Sequence, residues 1–79
     1  MTNGATETGI DRAIKKAGGQ AVIARTLGVT QQAVSYWKRT GYAPLLRAVE
    51  MEMHYGIPRS QLISPRLRDL FDDRDPLSA

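Results

Sequence analysis

Four residues close together in the chain carry side chains suited to hydrogen bonding with nucleic-acid bases: Gln31, Gln32, Ser35 and Tyr36. A glutamine amide presents a donor beside an acceptor, which matches the adenine edge, and a serine hydroxyl bonds to either kind of group. A tyrosine ring can touch a thymine methyl group or a phosphate. We therefore interpret these residues as base-contacting, with simple solubility as the alternative for the two adjacent glutamines.

A second set of residues flanks the first and is suited to binding phosphate. Its members are Gln20, Thr30, Lys38, Arg39 and Thr40. Gln20 begins a predicted helix, where its amide and the free N–H groups of the first turn attract anions. Lys38, Arg39 and Thr40 end the helix that carries the base-contacting residues, so we expect them near a nucleic-acid backbone.

The charge distribution agrees with a polyanion partner on one side of the molecule. The chain has 79 residues and a formal net charge of +3. Residues 1–48 carry an excess of five positive charges, residues 49–79 an excess of two negative charges, and no acidic residue lies between Arg12 and Val49. Such asymmetry is typical of a nucleic-acid-binding surface. A solvated basic surface without a partner is the alternative.

The composition argues against several other classes of protein. The chain has no cysteine and one histidine, His54, so disulfides, thiolate nucleophiles and the usual zinc sites are not expected. No pair of residues resembles a general acid and base, so we predict no enzyme, metal or cofactor. The longest apolar run is Ala21–Ala24, and the first nine residues do not resemble a signal peptide, so we expect neither a membrane segment nor export.

The span from Gln20 to Arg39 has the pattern of two short helices packed at a steep angle through a tight turn. Ala24 is small where the helix backbones approach, and Gly28 can adopt positive φ in the turn. Apolar residues occupy the places that face inward, and these are Ile23, Leu27, Val29, Val34 and Trp37. The pattern predicts a helix-turn-helix whose second helix exposes the base-contacting residues, with Trp37 in the core.

The remaining pattern is also helical, so the predicted fold is all-α, a compact bundle of about five short helices. The first helix follows an N-cap at Thr8 and stops at Gly18-Gly19. A fourth begins near Pro44, with Leu46, Val49 and Met53 predicted to face inward. A short fifth helix begins at Ile57-Pro58, carrying Leu62, and a sixth element follows Ser64-Pro65.

Three regions follow from this organisation. Residues 1–8 are predicted to be a flexible N-terminal arm, and residues 9–63 the helix-turn-helix domain. Residues 64–79 are a C-terminal extension, a short helix followed by an acidic tail. Leu67, Leu70 and Phe71 lie at helical spacing in that extension and are candidates for a dimer contact, although they can equally fold onto their own core or bind a partner protein.

The run AIKKAGGQAVIARTLGVTQQAVSYWKRTG resembles the lambda-repressor-like family, especially its Cro-like and YdaS-like prophage regulators. The resemblance covers about Gly9 to Leu62. It implies a fold of five short helices and a dimer that binds operator DNA and represses nearby promoters in the bacterial cytoplasm or nucleoid. It also implies base contact by Gln31, Gln32, Ser35 and Tyr36 and phosphate contact by Gln20, Lys38 and Thr40. Some YdaS-like proteins are classed as antitoxins.

Two functions from different classes follow. The first is a sequence-specific regulator of Cro type that binds a palindromic operator in double-stranded DNA as a homodimer, since one recognition helix alone gives limited specificity. The alternative is an antitoxin that binds a partner protein and represses its own operon. A non-specific nucleic-acid binder is less favoured, because the net charge of +3 is modest for an architectural protein.

Overall fold

The computed structural model describes residues 7–72, in which every regular element is helical. The α-helices are α1 (Gly9–Ala17), α2 (Gln20–Leu27), α3 (Gln31–Thr40), α4 (Leu45–Tyr55) and α5 (Pro65–Asp72), with a 3₁₀ turn at Arg59–Gln61 before α5. The predicted all-α bundle is confirmed. Within the described range no helix is long and apolar enough to cross a membrane. Most of the predicted arm and the tail beyond residue 72 lie outside the described residues.

Helix α1 begins and ends as its sequence predicts. The Thr8 hydroxyl accepts a hydrogen bond from the Asp11 backbone N–H at 3.1 Å, and the Asp11 carboxylate accepts one from the Thr8 N–H at 3.1 Å. This reciprocal pair satisfies two N–H groups that have no partner within the helix. Gly18 ends the helix in the left-handed conformation.

Helices α2 and α3 are joined by a three-residue turn, as the pattern predicts. Gly28 ends α2 with φ +72°, a value that side chains with a Cβ rarely adopt. The Thr30 hydroxyl then accepts from the Ala33 N–H at 3.1 Å and caps α3. A guanidinium nitrogen of Arg47, in α4, donates a hydrogen bond to the Leu27 carbonyl at 3.3 Å. This bond satisfies a carbonyl group at the C-terminal end of α2.

The core forms where α1, α2, α3 and α4 meet. Of the five predicted inward residues, Ile23, Leu27, Val34 and Trp37 are buried and Val29 is partly buried. The other buried apolar residues are Ile10, Ala13, Ala24, Ala43, Ala48, Met51, Ile57, Leu62 and Ile63.

The predicted inward face of α4 is wrong. Leu46 and Met53 are 64% and 78% exposed, and Val49 is only partly buried. The residues that face the core are Ala48 and Met51. Helix α4 has apolar residues along two faces, so helical spacing alone does not select the face that packs on the core.

The segment after α4 forms less helix than its sequence predicts. Only a 3₁₀ turn forms after Pro58, while Leu62 is fully buried and its carbonyl accepts from the Ala43 N–H at 2.7 Å. Ser64 then caps α5 by accepting from the Leu67 N–H at 3.2 Å. The backbone of Ile57 to Ser64 therefore connects the core to α5.

Candidate nucleic-acid interface

The outer face of α3 brings the four predicted base-contacting residues together. Gln31, Gln32, Ser35 and Tyr36 are all exposed and line one shallow groove, which Arg39 extends toward the end of the helix. The opposite face of α3 is anchored in the core by buried side chains. No acidic residue occurs on α2 or α3, so the groove consists of amide, hydroxyl, aromatic and cationic groups only.

Helix α2 contributes to the same surface through Gln20. The Ser35 hydroxyl donates a hydrogen bond to the Gln20 Oε1 atom at 2.5 Å. The side-chain N–H groups of Gln20 donate to no acceptor among the described residues. They are therefore available to an anion beside the first turn of α2, as the sequence predicts for Gln20.

Arg39 lies over the ring of Tyr36, with its guanidinium carbon 5.2 Å from the ring centroid. A cation above the face of an aromatic ring is attracted by the ring's quadrupole. The contact holds two flexible, exposed side chains against each other on the groove. The ring is 54% exposed and remains accessible.

Lys38 has a partner that the sequence did not reveal. Its ammonium lies 3.3 Å from the carboxylate of Asp11, the residue that also closes the cap of α1. Burial of Asp11 favours the neutral acid, but hydrogen bonds from Thr8 and the nearby Lys38 outweigh burial and lower the pKa of Asp11. Lys38 is half-exposed, so a phosphate would have to compete with Asp11 for it.

The two threonines of the predicted phosphate set already make intramolecular bonds. Thr30 accepts from Ala33, which leaves its hydroxyl proton for another partner. The Thr40 hydroxyl instead points its proton toward backbone carbonyls, 3.4 Å from Trp37 and 3.2 Å from Tyr42. Of the five predicted phosphate ligands, Lys38 and Thr40 thus donate to acceptors within the described residues, whereas Gln20, Thr30 and Arg39 keep donors for another partner.

The C-terminal extension lies beside α3, which the sequence did not indicate. Leu67 packs on the edge of the core, and with Tyr36 and Tyr42 it borders a cleft of about 240 Å³. Leu70 is 59% exposed. Phe71 is helical, and its side chain lies outside the described residues. Of the three candidates for a dimer contact, Leu67 therefore touches its own core and Leu70 faces solvent.

No group of three potential metal ligands comes together within residues 7–72. The groove offers hydrogen bonding and positive charge from side chains of α3.

Comparison with known protein families gives a match over most of the chain. The family model described as "Bacterial toxin YdaS" matches residues 10–64, well over half of the chain and nearly all of the helical core. No curated protein and no solved structure matches. The matched range contains the whole of α1 to α4 except Gly9, together with the outer face of α3. This chain therefore belongs to the YdaS family.

Proposed function

We propose that the protein is a sequence-specific regulator that binds double-stranded DNA with α3 in the major groove. It acts by occupying operator DNA, as a repressor of Cro type, and catalyses no reaction. The observation that carries the proposal is the outer face of α3, where Gln31, Gln32, Ser35 and Tyr36 are exposed on one groove while Val34 and Trp37 anchor the opposite side.

The placement of these residues along α3 supports this mode of binding. In helix-turn-helix proteins the N-terminal part of the second helix enters the major groove first. Gln31 and Gln32 occupy the first turn of α3, and an amide there can form two hydrogen bonds with adenine. Arg39, at the far end, is suited to guanine or phosphate, and Gln20 offers its amide N–H groups to a phosphate.

The protein is further proposed to bind as a homodimer on an inverted repeat. One α3 contacts only a few base pairs, whereas two copies spaced by one DNA turn, about 34 Å, double the site. The exposed Leu70 of α5 is the proposed contact. Leu70→Glu is expected to lower the sedimentation coefficient and operator affinity, while Met53→Glu, at the exposed face of α4, is the matched control. If only the Met53 variant dissociates, the dimer contact lies on α4.

Selection from a random duplex pool at about physiological salt tests the proposal. Enrichment of an inverted repeat is the expected result, with a log–log salt slope for the dimer of roughly −5 to −9 if each protomer contacts a few phosphates. Binding without any enriched sequence, lost as salt rises, would contradict sequence-specific recognition. A variant with Gln31 and Gln32 both replaced by alanine serves as the control that keeps the fold and removes the amides.

A toxin–antitoxin role is the second candidate, because the matching family model is described as a bacterial toxin. In this role the chain binds a protein partner, and α3 serves to regulate its own operon. Two growth tests distinguish the possibilities: expression of the chain alone, and its co-expression with a toxic neighbouring gene. Growth arrest indicates a toxin, whereas rescue of cells from a toxic neighbouring gene indicates an antitoxin. Normal growth when the chain is expressed alone, together with no rescue from the toxic neighbouring gene, leaves the regulator as the supported function.

A further inference from the structure

The hydrogen bond between α2 and α3 limits what Ser35 can offer to DNA. A serine hydroxyl has one proton to donate and two lone pairs that accept. In the structure the proton is directed to Gln20 Oε1, at 2.5 Å. Toward the groove, Ser35 is left with acceptor capacity only.

We propose that Gln20 determines base preference at the position that Ser35 faces, an inference that rests on the proposed DNA binding. In the major groove the amino groups of adenine and cytosine are the hydrogen-bond donors, while guanine and thymine present acceptors. A hydroxyl free to rotate serves either kind of base. With its proton held by Gln20, Ser35 accepts from adenine N6 or cytosine N4 and has nothing to donate to guanine O6 or thymine O4.

The geometry that holds Gln20 against Ser35 is set by the core. Gln20 begins α2, and Ser35 lies in the middle of α3, on the turn that follows the buried Val34. The two helices pack against each other, and Ile23 of α2 and Val34 of α3 lie in the core with no exposed surface. Gln20 is a positioning residue here, because it acts on the base through the hydroxyl of Ser35.

Three substitutions separate this role from a general contribution to binding. Gln20→Met keeps the length of the side chain and removes the acceptor, so the Ser35 proton becomes free. Gln20→Glu keeps an acceptor at the same place but brings a negative charge near phosphate. Ser35→Ala removes the hydroxyl itself. All three changes are on the surface, and circular dichroism checks that the helices remain.

Random-duplex selection is then run on the wild type and each variant. The wild type is expected to favour adenine or cytosine over guanine or thymine by roughly 3- to 10-fold at one position in each half-site, the range of a single net hydrogen bond. Gln20→Glu should keep that preference with weaker overall binding. Gln20→Met and Ser35→Ala should reduce it to less than about 2-fold, while the positions contacted by the glutamines of α3 keep theirs.

The outcomes separate the inference from the proposed function. A wild-type motif with the same preference in Gln20→Met overturns the role of Gln20 and leaves DNA recognition standing. Loss of the preference in Gln20→Glu as well as Gln20→Met also overturns it, because an acceptor alone would then be insufficient. Absence of any motif with the wild type refutes the proposed function and this inference together.

Discussion

Replacement of Gly9 by alanine is expected to destabilise the fold, although the residue is in the first turn of a helix where alanine is normally favoured. Gly9 is buried against the 3₁₀ turn. A Cβ built on its backbone would lie 2.8 Å from the carbonyl carbon of Gln61 and closer still to the carbonyl oxygen. Carbon atoms in contact prefer about 3.5–4.0 Å. The backbone of α1 or of the turn must therefore move by roughly 1 Å.

The magnitude follows from two opposing terms. Inserting a methyl group into a filled space against backbone costs about 1–3 kcal/mol. Alanine in place of glycine in a helix returns about 0.5–1 kcal/mol. At the middle of the two ranges the net loss is about 1 kcal/mol of unfolding free energy, which lowers the melting temperature of a domain of this size by about 4–8 °C.

Thermal and urea unfolding followed by circular dichroism measure this loss. Gly18→Ala is the matched control, since Gly18 has φ +98° and open space around it. That variant should lose about 1 kcal/mol through backbone strain alone, with no steric contact. If Gly9→Ala is as stable as the wild type, the close approach of α1 to the 3₁₀ turn is refuted.

Three further outcomes are expected. Gln32→Ala should cost about 1–3 kcal/mol on the preferred DNA site and relax the choice at one base pair, whereas Lys38→Ala should weaken all sequences alike in a competition assay. If Gln32→Ala and Lys38→Ala both weakened binding to preferred and random DNA equally, the assignment of Gln32 to bases and Lys38 to phosphate would be contradicted. Asp11→Asn should destabilise at pH 7 by about 1 kcal/mol. Because folding lowers the pKa of Asp11, this stability is present above about pH 4 and is lost as pH falls through the folded-state pKa. If urea titrations gave the same difference in unfolding free energy between Asp11→Asn and the wild type at pH 2.5 as at pH 7, this pH dependence would be contradicted. Thr30→Ala should cost about 1 kcal/mol by removing the cap of α3, and an unaltered urea midpoint would show that the cap is dispensable.

The helices on either side of the turn could be predicted from the sequence because each boundary has its own local signal. Gly28 and Thr30 end and begin helices through their own backbone and hydroxyl, and the inward residues repeat at helical spacing. The face of α4 could not be predicted in this way. Its two apolar faces are equivalent by spacing, and only the packing of the whole fold, which buries Ala48 and Met51, distinguishes them.

The contacts that organise the candidate site were also beyond the sequence. Gln20 and Ser35 are 15 positions apart, and Asp11 and Lys38 are 27 positions apart. Pairs of this kind depend on how three helices meet, which no local pattern encodes. The residue types and the outer face of α3 were predictable. The hydrogen bonds and ion pairs that these side chains already make within the fold were not.

The ion pair between Lys38 and Asp11 has a consequence for how DNA binding would respond to salt. A lysine that is free in solution adds almost one unit to the salt slope when it binds a phosphate, because a condensed cation leaves the DNA. If Lys38 leaves Asp11 for a phosphate, the carboxylate is exposed and attracts a cation from solution. The release of a cation from the DNA is then partly offset by the uptake of a cation at the Asp11 carboxylate. Removing Lys38 should therefore change the salt slope by clearly less than one unit per protomer, even where it weakens binding.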